Sequence, residues 1–486
     1  MRRKVLGVRY GKTLSMSEGV AMGFSFLNSD VDSSRCAAHI SRLTPYASCL
    51  VGLAAFLLVS VMACAWVGPV WGQRVTIDIT QPSFERIPIA IPDFKRQTAE
   101  QVQLAREMGE TLAQDLDYSG VFRTLDPKGF LEDPQAMGLT AADIKFPDWR
   151  RIGADFLVRG AYQIQGSSVR MEGRLFDTVS ARMVVGKVYE GDTRNWRLMV
   201  HRFADEILYA LTGERGVFDS KIAYVQAQGN AKEIFVVDFD GSNPLQLTRD
   251  NSLNLSPAWN SNGTQLAYVS YKDGGTKVYT VNVTDGSQRL VSGHPGLNIA
   301  PAWRPGSNEL AVTLSKDGNP SIYLVSSAGG VIQKLVQGWS INVSPAWSPD
   351  GRRLAYVSDE TGNPQIYVLD VGSGAKRRIT FSGNYNTAPS WSPKGDWIAF
   401  TSLSGGRHNI AIIRPDGGEL RQLTHGEGTN EDPTWSPDGR MIAFTSTRDG
   451  SRAVWVLQTN GTGVRRLTAG GGGQELPDWS PRIGAR

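Results

Sequence analysis

Cysteine is nearly absent. The chain of 486 residues has three, Cys36, Cys49 and Cys64, all within the first 72 positions. The rest of the chain therefore has no disulfide, no zinc–thiolate site and no cysteine nucleophile. Histidine is scarce too: beyond residue 72 there are only His201, His294, His408 and His425, scattered over separate segments. A charge excess is also missing. The formal +4 comes from residues 1–72, with seven Arg/Lys against three Asp/Glu, whereas residues 73–486 carry 44 of each sign. Nucleic-acid binding needs a basic excess or patch, and neither is visible. No G-x-S-x-G elbow, P-loop or dinucleotide fingerprint occurs. Glycine is abundant, at 53 residues, which favours turn-rich β-structure. The length and 41% hydrophobic content predict two domains with a substantial core.

Residues 49–72, CLVGLAAFLLVSVMACAWVGPVWG, follow Arg42 and earlier basic residues. The run is long enough for a membrane anchor, but Gly52, Pro69 and small residues interrupt it. Val70-Trp71-Gly72 resembles a cleavage site before Gln73, so residues 1–72 read as an export segment. Ala63-Cys64-Ala65 is a second candidate site, and an internal start at Met16 or Met22 would shorten the long leader. Two alternatives stay open: a retained anchor, and acylation of Cys64 in a lipoprotein-like box, against which the apolar AWVGPVW continuation argues.

A single unit then returns along the chain. Trp259, Trp303, Trp347, Trp391, Trp435 and Trp479 are each 44 residues apart, without one insertion. A second apolar run keeps step from Ile222 to Ile442, a third begins at positions from Ile234 to Val454, and a fourth is marked by Leu247 through Leu467. Each unit thus holds four short strands divided by Gly/Asp/Asn/Pro turns, the signature of a β-propeller with six blades. Ser-Pro-Asp-Gly suits a tight turn between the first two strands. The repeat begins at its second strand and ends on a lone first strand, LPDWS, so the C-terminal strand is expected to complete the blade begun at Ile222 and close the ring. The tryptophans read as core rather than as a ligand-stacking row.

Residues 73–214 differ. Val75–Ile79 alternates like a strand, and residues 87–94 form a second apolar run whose prolines suit a sheet edge. Thr98-Ala99-Glu100-Gln101 is a capping box opening a helix with Val102, Ala105, Leu112 and Leu116 on its apolar face and a stop at Ser119-Gly120. Strands are predicted over 156–164, 169–176 and 183–189. A second helix follows, striped by Trp196, Val200, Phe203, Ile207 and Leu211 and ending at Thr212-Gly213. His201 lies one position past that stripe and is expected at the surface. The predicted organisation is an export segment (1–72), a small α/β domain (73–214) and an all-β six-bladed propeller (215–486).

Catalytic potential is thin. His294 and His425 precede first strands and are expected near one rim, but two histidines with no third ligand type make a poor metal site. No catalytic, cofactor or metal site is assigned; a carboxylate-lined channel site, with hydrolase or lyase chemistry, is the alternative. A more regular feature is the amide five residues before each tryptophan: Asn254, Asn298, Asn342, Asn386, Asn430 and, in the sixth unit, Gln474. If the chain enters each innermost strand beside the central channel, these amides ring its mouth, uncharged and suited to a peptide backbone. The other reading is that each amide satisfies its own turn. Glu431, Asp432 and Glu475 add acid on one side of the mouth.

An export signal, a small α/β domain and six repeats of the form SPAWSPDGRRLAYVSD together resemble the TolB family, periplasmic components of the Tol-Pal envelope system. The repeat alone is less specific, since related units occur in other propellers. The resemblance implies a non-enzymatic, monomeric protein without cofactor that binds the lipoprotein Pal at the channel mouth and TolA through its first mature residues. It also implies a role in outer-membrane integrity and cell division, with other envelope proteins as further partners. On this sequence the Pal site would be the amide ring with its acidic neighbours. The TolA segment would be Gln73, Arg74, Val75, Thr76, Ile77, Asp78 and Ile79.

Overall fold

The computed structural model describes residues 85–97 and 102–483; the export segment, the capping box and residues 73–79 lie outside that range. The α/β region is a twisted sheet in the order β3-β1-β4-β5-β6, formed by β1 (Ile87–Ala90), β3 (Phe122–Thr124), β4 (Phe156–Gln165), β5 (Ser168–Asp177) and β6 (Arg182–Asp192), with β2 (Lys95–Arg96) on β4. Helices α1 (Val102–Tyr118) and α3 (Trp196–Thr212) pack on it, and a short α2 (Phe146–Arg151) lies between. The apolar stripes dictate this packing: Leu112, Leu116, Val200, Phe203 and Ile207 are fully buried. Gly120 and Gly213 end the two long helices at φ 72° and 75°, the left-handed cap that glycine adopts without a Cβ penalty. Gly173 lies in strand β5 because the Phe203 ring occupies the space a Cβ would need.

One expectation is corrected here. The run at residues 87–94 is not an edge: β1 lies between β3 and β4, parallel to both. The sheet tolerates Pro88 because the strand is four residues long and the Pro88 carbonyl still accepts the Asp155 N–H at 3.0 Å. The short β3 and α2 escaped the sequence reading, being too brief to show a period.

The propeller has six four-stranded antiparallel blades. The innermost strands are Asn254–Trp259, Asn298–Trp303, Asn342–Trp347, Asn386–Trp391, Asn430–Trp435 and Gln474–Trp479. The last pairs with Lys221–Gln228, Gln474 opposite Gln226 and Trp479 opposite Ile222, so the C-terminal strand closes the ring. After three of the first strands the turn glycines Gly351, Gly395 and Gly439 sit at φ 65–76°, as the Pro-x-Gly sequences require.

The tryptophans are core, 5–8% exposed. Most also stitch blade to blade. The indole N–H of Trp303 donates to the Ala258 carbonyl at 3.1 Å, Trp347 to Ala302 at 3.2 Å, Trp435 to Ser390 at 3.0 Å and Trp259 to Asp478 at 3.1 Å. One hydrophobic core runs through both regions: Leu208 and Leu211 of α3 share it with Phe218, Phe239, Met441 and Leu467. The α/β region thereby seats on the closing blade and its neighbour. The contacts fall at the turns that follow innermost or third strands, through Arg197 with Asp240 (2.9 Å) and Glu214 with Arg440.

Candidate functional site: the channel and the free face

Each innermost strand carries a proline at its centre, Pro257 and its equivalents, which cannot donate to a sheet ladder. The strand answers with a bulge: pairing of the first blade shifts between Leu255 and Ala258, and every later blade repeats the shift. The residue before each proline takes φ of 49–54°: Ser256, Ala300, Ser344, Ala388, Asp432 and Leu476. None is glycine, so each costs about 1–2 kcal/mol. These six line the axial channel, a cavity of about 680 Å³. The next inward positions are Ala258, Ala302, Ala346, Ser390, Thr434 and Asp478. The wall is therefore mostly small and weakly polar, with two carboxyl groups on adjacent blades.

The amides do not ring the mouth. Asn254, Asn298, Asn386 and Asn430 are fully buried, Asn342 is 2% exposed and Gln474 1%. Asn298 accepts from Ser292 Oγ (2.7 Å) and the His294 N–H (3.0 Å) and donates to the carbonyls of Thr276, His294 and Gly296. Asn254 donates to Glu233 at 2.8 Å, and Asn386 to Gln365 at 2.9 Å. Asn430 accepts from Ser446 and Arg448; Asn342 and Gln474 donate to Ser340 and Ala469 carbonyls. In five blades the amide donates to a carbonyl of the connection entering the blade, as the turn reading expects, and these backbone groups would otherwise be buried without partners; Asn254 instead bonds only to Glu233 of the blade before.

The acids are corrected as well. Glu431 is bonded to His408 and to Arg452 (3.3 Å); Arg452 reaches on to Glu475 (3.0 Å), which also holds Lys232. Crowding of carboxylates on two blades is offset by these cations, so little free acid is presented. His201 is not at the surface but 1% exposed. His294 and His425 fall outside the groups of metal-ligand spacing found among the described residues.

This end of the propeller also presents large apolar side chains. The α/β region holds turns at the tryptophan end of the strands, which leaves the connections at the amide end free. There Tyr271 (40% exposed), Leu297 (40%), Trp339 (90%), Ile341 (45%), Phe381 (72%) and Tyr385 (40%) project from four consecutive blades. The sequence reading missed them, although the signal was present. Leu253, Leu297, Ile341 and Tyr385 each precede an amide, on the same 44-residue step; the step drew attention to the buried member of each pair.

A family model described as TolB beta propeller domain matches residues 208–483, and one described as TolB amino-terminal domain matches residues 75–184. The chain belongs to the TolB family. A family member from Desulfosudis oleivorans, named Tol-Pal system protein TolB, is 42% identical over 212 residues, covering 43% of this chain and 48% of the relative. Another of the same name, from Syntrophotalea carbinolica, is 42% identical over 163 residues, 34% of this chain and 38% of the relative. These alignments span about half, or less, of the length of those relatives. The crystal structure of TolB from Acinetobacter baumannii is similar over 82% of this chain and 97% of that one, with 26% identity and a TM-score of 0.72.

Within this TolB-family propeller the two channel carboxyls are electrostatically unusual. Asp432 is pushed up to about 7 by burial, with Glu431 and Glu475 adding repulsion. Asp478 is also pushed up to about 7 by burial, against hydrogen bonds from the Trp259 N–H (2.7 Å) and Thr434 Oγ1 (3.3 Å). Both Asp478 oxygens are thus committed to neighbouring blades. That arrangement ties Asp478 to the blades on either side of its own.

Proposed function

We propose that the chain is a periplasmic, non-catalytic binding component of the Tol-Pal system, docking Pal on the free face of the propeller and engaging TolA through residues 73–79. In this role it supports outer-membrane integrity and constriction during division. Membership of the TolB family and the names of its relatives support the system. The observation that carries the docking surface is the exposure of Trp339 and Phe381 beside Leu297, Ile341 and Tyr385. Large exposed apolar side chains grouped on one face mark a protein-binding site, and buried aromatics supply most of the affinity in such sites. Partner selection then rests on shape and apolar contact across four blades rather than on the amides.

The test is titration calorimetry of the exported protein with soluble Pal. Trp339→Ala with Phe381→Ala should weaken binding by at least ~30-fold, about 2 kcal/mol, with the melting temperature unchanged. Unaltered affinity would remove the free face from the account. Deleting residues 73–79 should abolish capture of TolA while leaving Pal binding intact; TolA still captured would remove the N-terminal assignment.

A further inference from the structure

At the seat of the α/β region on the propeller, a set of ionisable side chains is shut away from solvent. His201 on α3 has Nδ1 2.7 Å from Oδ2 of Asp115 on α1, and both residues are buried. Its Nε2 faces Oδ2 of Asp240 at 3.7 Å and makes no hydrogen bond. Asp240 belongs to the closing blade, in the turn after strand Ala231–Asp238. Arg197 of α3 donates to that same Asp240 oxygen at 2.9 Å, and Ser242 donates to the other from its N–H and hydroxyl. Asp238 is held by Lys221 and, at 2.7 Å, by Asn243. Arg465 of the fifth blade closes the remaining side, its guanidinium 4.0 Å from the Tyr118 ring centre. Phe239 packs edge-on against His201 at 5.3 Å.

His201, Asp238 and Asp240 lie close enough together to hold a metal ion. Their oxygens, however, already serve Arg197, Lys221, Asn243 and Ser242. A divalent ion would also add charge beside Arg197, Lys221 and Arg465. A proton fits better. With Nδ1–H donating to Asp115, a neutral ring would aim its Nε2 lone pair at the Asp240 carboxylate; protonation turns that repulsion into attraction.

We propose that His201 is a proton-operated clamp, its imidazolium tying Asp115 of the α/β region to Asp240 of the propeller and releasing that tie when the proton leaves. Burial, the largest influence, pulls the imidazole's pKa down, but Asp115, Asp240 and Asp238 more than reverse it, and the net direction is upward from 6.5. Asp115 is raised too, by burial ahead of the His201 charge, so the pair as a whole retains its proton as pH climbs. For a group raised on folding, the stabilisation is complete below its unfolded value, about 6.5, and is lost as pH rises through the folded value. The seat is therefore tight below about pH 6.5 and slackens as pH rises through the raised folded midpoint.

The experiment follows the histidine ring signals of the exported protein by NMR between about pH 5 and about pH 10, with the His201 signal identified by its absence in His201→Asn. A midpoint above about 6.5 is expected, and in Asp240→Asn, where the pair with Asp115 remains, a lower one. Amide exchange of residues 239–243, corrected for intrinsic pH dependence, should accelerate several-fold above the midpoint in the parent and stay level in His201→Asn. A midpoint below about 6.5, or exchange that ignores it, overturns the clamp. So does a shift of the His201 signal by EDTA or by added Zn²⁺, which would make the cluster a metal site instead. If His201→Asn does not fold, the His201 signal is assigned in the parent by its ring contacts to Phe239, 5.3 Å away, so the titration still stands.

Discussion

Asn298, which opens the second blade, makes five side-chain hydrogen bonds to Thr276 and Ser292 of the first blade and to the connection between the two blades, while Asn342, at the same place in the third, donates only to the Ser340 carbonyl. Removing a buried amide strands its partners at about 1–3 kcal/mol. Asn298→Ala should therefore lower unfolding free energy in urea by about that amount, and Asn342→Ala by clearly less. Equal losses would show that the bonds are not what these residues contribute. Trp347 and Trp391 offer a second matched pair. Both are 7% exposed, but only Trp347 has a partner for its indole N–H, the Ala302 carbonyl at 3.2 Å. Substitution to Phe should cost about 1 kcal/mol more at Trp347 than at Trp391, measured by denaturant titration; the reverse order would contradict blade-to-blade stitching.

At the scale of elements, much is legible in the sequence itself. The 44-residue step placed all six innermost strands, the closing partnership of LPDWS with the strand at Ile222, and the burial of the tryptophans. Helix ends at Ser119-Gly120 and Thr212-Gly213 were readable because glycine marks a left-handed cap. What sequence could not give was side-chain direction along the innermost strand. A bulge at a non-glycine residue leaves no compositional mark, and Ser256, Ala300, Asp432 and Leu476 share nothing but a proline to their right. Proline signalled that the ladder must break, but not which neighbours would turn inward. The repeat therefore points to the amides at the mouth, whereas the exposed side chains are the apolar residues before them. His201 failed for a related reason. A helix packed on one sheet shows one stripe, but α3 also meets the closing blade, and the residue beside the stripe is buried by that second contact.

At the scale of the whole molecule, closure by the last strand and a core shared between the regions make the ends of the chain mutually dependent. Deleting residues 474–486 exposes the edge of strand Lys221–Gln228 and removes Trp479 from the shared core. The truncated chain should lose its cooperative melt or aggregate on heating, and a melt identical to the parent's would contradict closure. The seat of the α/β region at one end of the ring leaves the other end exposed, and docking of Pal at that exposed end is the central proposal. It is tested most directly by site-specific photo-crosslinking in cells, with a benzoylphenylalanine placed either at Ile341, on the free face, or at Asp350, in a turn at the opposite end of the same blade. The account predicts a Pal adduct from position 341 and none from position 350; an adduct from 350 alone would contradict it.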